Sequence, residues 1–296
     1  MTTMKEQLLF MFLLMPFAFL ITACGSDDDD DNVGETVVVN EDGTTSNGSV
    51  FSFIDEKNFY LNHVKYTINR TNNLIVTGYD ESGLNEIASI VPQISIKDHT
   101  YKVTGITYDA FRNCSRLSSV IFPQTIQEIG EEAFRDCRGL ASIKIPRSVV
   151  SIHDFAFSGC GGLKSIVVEE GNENYYSPNN CNAIILKTKG WLIQGCMNTT
   201  IPDDVLSIFH EAFRNCVGLT SINIPSSVTY IGQDAFQGCS SLTSIHSQIE
   251  NPSDCMVVSQ FDSDIYSSAT LYVPKGSREA YMRTNPWDKF KNIVEE

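Results

Sequence analysis

The chain has 296 residues, 42% of them hydrophobic, and a formal net charge of −15. Such a balance repels a phosphate backbone, which argues against nucleic acid as a partner. The five histidines form no His-x-x-x-His pair, and there is no phosphate-binding glycine loop or Gly-x-Ser-x-Gly elbow, so neither a cofactor nor catalysis is expected.

Residues 1–23 have the make-up of a targeting segment. Lys5 precedes an apolar run at residues 8–21, which Pro16 breaks and which is short for a membrane span. In Ile21-Thr22-Ala23-Cys24 the cysteine follows small residues directly, an arrangement that resembles a bacterial lipobox. The resemblance implies cleavage before Cys24 and acylation of its thiol and amine, and several acyl chains anchor where one is marginal. Residues 24–50 form the expected acidic flexible tether. Five consecutive aspartates at 27–31 repel one another and keep the chain extended, and a Gly/Thr/Ser/Asn-rich stretch follows.

Farther on, one phrase returns five times: an Ala-Phe pair, a Cys three residues after the Phe, and a Leu three after the Cys. The pairs are Ala110-Phe111, Ala133-Phe134, Ala156-Phe157, Ala212-Phe213 and Ala235-Phe236, spaced by 23, 23, 56 and 23 residues. A fixed period of this length marks a solenoid, in which each coil buries its apolar side only against its neighbours. The string Leu140-x-x-Ile143-x-Ile145 predicts a strand with both isoleucines inward and Ser142 and Lys144 outward. Pro123, Pro146 and Pro225 end such strands. The stretch around Ala156-Phe157 predicts one helical turn. There Asp109/Arg112, Glu132/Arg135 and Glu211/Arg214 would pair at i,i+3.

The 56-residue interval contains one coil of 33 residues. Its extra sequence, within residues 169–200, has two apolar runs around Lys187-Thr188-Lys189-Gly190 and predicts a β-hairpin. Cys181 and Cys196 flank it symmetrically. A two-residue loop would set them opposite for a disulfide; a bulge at Gly190 would shift the register and prevent one. The repeated cysteines 114, 137, 160, 216 and 239 are expected to be small buried hydrophobes, because parallel side chains do not meet disulfide geometry.

The repeated Ile-x-x-x-Ala-Phe-x-x-Cys-x-x-Leu-x-Ser-Ile-x-Ile-Pro phrase resembles the BspA-type, or treponemal-type, leucine-rich repeat of surface proteins from Gram-negative anaerobes. The resemblance covers residues 51–296. It implies a mainly β fold: an N-terminal β-hairpin cap at 51–100, a leucine-rich-repeat-like β-solenoid of about 23-residue coils at 101–273, and a short helical cap at 274–296 with Tyr281 and Trp287. Glu169 (Pro elsewhere) and Ser247 (apolar elsewhere) depart from the pattern. The resemblance also implies an outer-membrane lipoprotein facing the cell exterior, since the aspartate run is similar to an acidic export signal. It implies adhesion to a host or bacterial surface protein; the chain itself is expected to be a monomer.

The outward strand positions form a uniform column (Ser119, Ser142, Ser165, Ser221, Ser244) and a varied one (Ile121, Lys144, Val167, Asn223, His246). The varied column fits a recognition strip, and also fits drift at solvent positions. Tyr175, Tyr176 and Trp191 of the insert supply aromatic groups of the kind that anchor interfaces, although Trp191 could instead cap the hairpin. Two functions follow: a surface-anchored protein-binding module, or a carbohydrate-binding accessory lipoprotein of a glycan uptake system. Exposure of the three insert aromatics separates them.

Overall fold

In the computed structural model, residues 36–40, 42–80, 86–259 and 261–296 are described; the targeting segment and Cys24 lie outside them. At the N-terminal end, Phe51–Phe53, Asn58–Leu61, Val64–Ile68 and Leu74–Tyr79 pair antiparallel in sequence order. Asn62 and His63 join two of these strands with φ of 48° and 66°, the left-handed pair that a two-residue hairpin requires. Leu74–Tyr79 then pairs parallel with His99–Ile106, which turns the cap into the first coil.

The tether is shorter than its composition suggests. Val37–Val39 is a strand, paired parallel with Gln93–Ile96, and Val37 and Val39 are buried. Three β-branched residues in an otherwise polar stretch suit a pleated, half-buried position.

Each coil contributes two strands to two ladders. The long-strand ladder runs Ile87–Ser89, Ser119–Ile121, Ser142–Ile145 and Ser165–Val168, all parallel, and Ser142 pairs with Ser165 one period on. The short-strand ladder joins the end of His99–Ile106 to Glu128–Ile129 and Ser151–Ile152. Between them lies the Ala-Phe segment, which forms consecutive tight turns and not the expected helical turn. Asp109, Glu132, Phe155, Glu211 and Asp234 all have φ between 54° and 60°, and Asn113, Asp136 and Asn215 follow at 57–62°. Left-handed residues every fourth position stop a right-handed helix from propagating.

The turns stack through backbone and rings. Phe111 and Phe134 donate N–H bonds to Ala133 and Ala156 of the next coil, at 2.7 Å each. The rings of Phe111, Phe134 and Phe157 lie nearly parallel, 5.0 and 5.2 Å apart. Behind them the repeated cysteines are buried free thiols. Three donate to phenylalanine carbonyls of the preceding coil: Cys137 to Phe111 at 2.9 Å, Cys160 to Phe134 at 3.1 Å and Cys239 to Phe213 at 3.1 Å. Each of these carbonyls also accepts the N–H of its own coil's cysteine (Cys114, Cys137 and Cys216, at 3.0–3.2 Å), so the thiol supplies a second donor to an oxygen with two lone pairs.

Both ladders are interrupted at the fourth coil, the short-strand one restarting within it and the long-strand one beyond it. The second long-strand ladder is Ser221–Ile224, Ser244–Ser247, Thr270–Val273 and Asn292–Glu295, so it continues past the expected limit of residue 273. The second short-strand ladder begins with the insert strand Trp191–Gly195, then Ser207–Ile208, Tyr230–Ile231 and Met256–Val257. The buried apolar side chains divide in the same place. One group includes Phe111, Phe134 and Phe157; the other includes Phe213, Phe236 and Trp287. At the C-terminal end, helices Ser263–Ser268 and Arg278–Tyr281 bring Tyr266, Tyr281, Trp287 and Phe290 over the last coils, with Trp287 and Tyr281 fully buried. Ser247 breaks the apolar pattern because its hydroxyl meets Tyr281 Oη at 2.6 Å, and that phenol in turn donates to Ile249 O.

Candidate functional site

The outer face of the first long-strand ladder follows from the period of two. Ile121, Lys144 and Val167 stand outward, while Val120, Ile143 and Ile166 are buried. Ile87 and Ile121 are each 54% exposed and Val167 is 38% exposed, so aliphatic surface faces water beside the serine column. Lys144 Nζ meets Glu169 at 2.9 Å. Glu169 stands where other coils have Pro, and it also accepts from Gln124 Nε2 (2.7 Å) and Arg147 N (3.1 Å). Burial works against its charge, but those donors outweigh it and hold the carboxyl below its ordinary value.

On the second ladder, Asn223, His246, Tyr272 and Val294 form one in-register row. The His246 ring stacks on Tyr272 at 4.4 Å, and its Nδ1 lies 2.9 Å from Glu296 Oε1. The varied column is therefore two patches rather than one continuous strip. Between them, side chains close the edge of Ser165–Val168. Ile166 N donates to Asn182 Oδ1 (3.3 Å), and Ser177 Oγ donates to Ile166 O (3.3 Å). Trp191 belongs to neither patch, because its strand joins the short-strand ladder.

The insert aromatics are largely engaged. Tyr175 is buried, and its hydroxyl accepts the Ile152 N–H at 2.8 Å, which caps the first short-strand ladder. Tyr176 donates its hydroxyl to Asp204 Oδ2 at 2.5 Å; burial first, and then that carboxylate, push its phenol up. Trp191 stacks on Phe209 at 5.0 Å and carries Lys189 Nζ 5.1 Å from its ring centre. Cys181 and Cys196 are separate, buried, free thiols. The register that would set them opposite holds only near the loop, where Leu186 pairs with Trp191. A bulge between Ile184 and Ile185 displaces it by one residue, so Ala183 faces Gly195.

The fourth coil has no Ala-Phe turn, and Gly195 takes the vacant place. Its N–H donates to Ala212 O at 2.8 Å, the bond that phenylalanine makes elsewhere, and a Cβ there would lie 2.2 Å from the Phe213 ring. Coils three and five consequently meet at the turn edge. Arg112 pairs with Glu132 of the next coil at 2.6 Å. The corresponding residue facing Arg135 is Phe155, whose ring centre lies 5.4 Å from the guanidinium carbon. Arg135 reaches instead to Glu211 of the fifth coil, at 2.9 Å. Ser158, in the place of an arginine, donates to the same carboxylate at 2.5 Å. The expected i,i+3 pairs are present at Asp109/Arg112, Glu132/Arg135 and Glu211/Arg214.

Beside this junction opens a narrow, partly open cleft, lined by His153, Asp154, Phe155, Gln194, Phe209 and His210 among others. His153 Nε2 lies 2.7 Å from Glu128. His210 Nδ1 accepts the Gln233 N–H at 2.9 Å, which in the neutral ring leaves the proton on Nε2, 3.4 Å from Tyr230 Oη. The spacing of the repeats does not reveal this cleft. The signal available was the loss of the acid and the arginine at Phe155 and Ser158 in one repeat.

Repeated coils, two parallel ladders and a turn edge of stacked phenylalanines define a leucine-rich-repeat solenoid. The BspA-type leucine-rich repeat matches in six copies over residues 90–187 and 194–261, more than half the chain, and the protein belongs to that family. No curated protein matches it. Among solved structures it is similar to a leucine-rich cell surface protein from Faecalibacterium prausnitzii, at 17% identity over 82% of this chain and 95% of that one, with a TM-score of 0.38. A leucine-rich repeat protein of T. pallidum aligns at 18% identity over 75% and 94% of the two chains, with a TM-score of 0.39. One from Bacteroides ovatus aligns at 21% identity over 83% and 76%, also with a TM-score of 0.39.

Proposed function

We propose that the protein is a lipid-anchored, surface-displayed adhesion module that binds another protein without catalysis, through the outer faces of its long-strand ladders. The observation that supports this most is the exposed aliphatic set Ile87, Ile121 and Val167, which the solenoid does not need for its own packing. The glycan reading draws less support, because Tyr175 is buried and Trp191 is occupied by Phe209 and Lys189.

A form beginning at Gly25 can be screened against host matrix proteins and glycans. Replacing Ile121, Lys144 and Val167 together by Ala should weaken the protein partner found at least tenfold while moving Tm by only a few degrees. Full-strength binding by that variant would reject the face. Anchoring is tested separately: Cys24→Ser should abolish lipidation and move the protein out of the membrane fraction. Unchanged partitioning with no loss of lipid mass would rule the anchor out.

A further inference from the structure

The cleft at the interrupted coil presents hydrogen-bond acceptors that none of the described residues fills. Gln194 is 5% exposed, and its Nε2 donates to Gly195 O at 2.8 Å. Its Oε1 has no hydrogen-bond partner among the described residues, although the side chain lines the cleft. At the mouth, the Asp154 carboxylate has no cationic partner among the described residues. The nearby cations are committed: Arg135 to Glu132 and Glu211, and His153, when protonated, to Glu128. Phe155 and Phe209 supply apolar walls, with Ile152 and Ile193 beside them. An open acceptor on a largely buried side chain favours a donor, and an exposed carboxylate at the rim favours a positive charge. Apolar walls suit the methylene stem of a long side chain.

We propose that this cleft receives one cationic side chain, lysine or arginine, from a protein partner. The site goes beyond the sheet-face reading, since it lies beside the short-strand ladder and arises from the missing Ala-Phe turn. The overall charge of −15 supports the same class of partner by steering basic surfaces toward the protein.

Small probes test the site without any partner. Trp191 is the reporter, because it stacks on Phe209 of the cleft wall, whereas Trp287 is fully buried in the C-terminal cap. N-acetyl-lysine amide and N-acetyl-arginine amide are titrated into the protein and Trp191 fluorescence is followed, with neutral N-acetyl-citrulline amide as the control. At least one of the cations should give a saturable change with a millimolar midpoint, and citrulline none. Asp154→Asn, an exposed substitution, should weaken the response about tenfold, the worth of one charge-assisted hydrogen bond. The triple Ala variant of the sheet face should respond as the wild type does, which separates failure here from failure of the sheet face. Absence of a saturable change for both cations, an equal response to citrulline, or an unaltered midpoint in Asp154→Asn would overturn the proposal.

Discussion

Glu169 shows how one residue that breaks a repeat can be explained by its surroundings. Where a proline would simply end the strand, its carboxylate gathers Lys144, Gln124 and the Arg147 N–H. Its pKa is held below 4.5, so the folded state binds this proton less readily than the unfolded chain does. The associated stability is therefore fully present above about pH 4.5, and is lost as pH falls through the depressed folded value. Glu169→Gln should cost roughly 1–2 kcal/mol at neutral pH, a range set by charged hydrogen bonds discounted for the exposed Lys144. The gap between variant and wild type should narrow in urea titrations run at progressively lower pH. A gap that stays constant down to pH 3 would show that the carboxylate's charge is not what stabilises. The departures at Glu169 and Ser247 were visible in the sequence, but their partners were not. Gln124 lies two coils away and Tyr281 lies in the cap, and a repeat pattern carries no information on contacts between unlike segments.

At the scale of elements, the 23-residue period was legible because it is a physical register: Ser142 pairs with Ser165, and Ser221 with Ser244. The Ala-Phe turn was misread because Asp, Glu and Asn at its key positions are compatible with a helix, while only their positive φ values exclude one. The Val37–Val39 strand was missed for another reason. Its partner at Gln93–Ile96 is distant in sequence, and three residues among polar ones give no periodic signal. The insert hairpin was legible, but its bulge and its ladder were not, since both depend on the coils it packs against. The small residues after Phe157 have a specific use. A Cβ on Gly161 would fall 2.0 Å from Asn215 O, so only glycine lets coil five approach coil three. Gly161→Ala should therefore cost about 1–3 kcal/mol, the usual range for overpacking. Gly171→Ala can serve as the control, because an added Cβ there meets nothing within 4 Å and the cost is backbone strain alone. Equal melting temperatures for Gly161→Ala and wild type would show that the two coils do not need this contact.

For the molecule as a whole, the interrupted coil governs how stability is shared. In a repeat protein each coil is stabilised by its neighbours, so cooperativity passes only as far as the interfaces transmit it. Here both ladders and both groups of buried side chains divide at coil four. Across that division at the turn edge, Glu211 accepts from Arg135 at 2.9 Å and from Ser158 at 2.5 Å, and pairs with its own coil through Arg214 at 3.3 Å. Its removal leaves Arg135 with Glu132, Asp136 and the Phe155 ring among the described residues, and takes the charged link away from coils two and three. Glu211→Ala should lower stability by about 2–4 kcal/mol, as expected for breaking a largely buried ion pair. The more specific expectation concerns cooperativity. Hydrogen exchange read by mass spectrometry should report similar opening energies for the turns at Phe134 and Phe236 in the wild type. In Glu211→Ala those energies should separate, because each set of coils then opens without the other. If the two turns lose protection by equal amounts in the variant, coupling does not run through the turn edge, and the hairpin side of coil four must carry it.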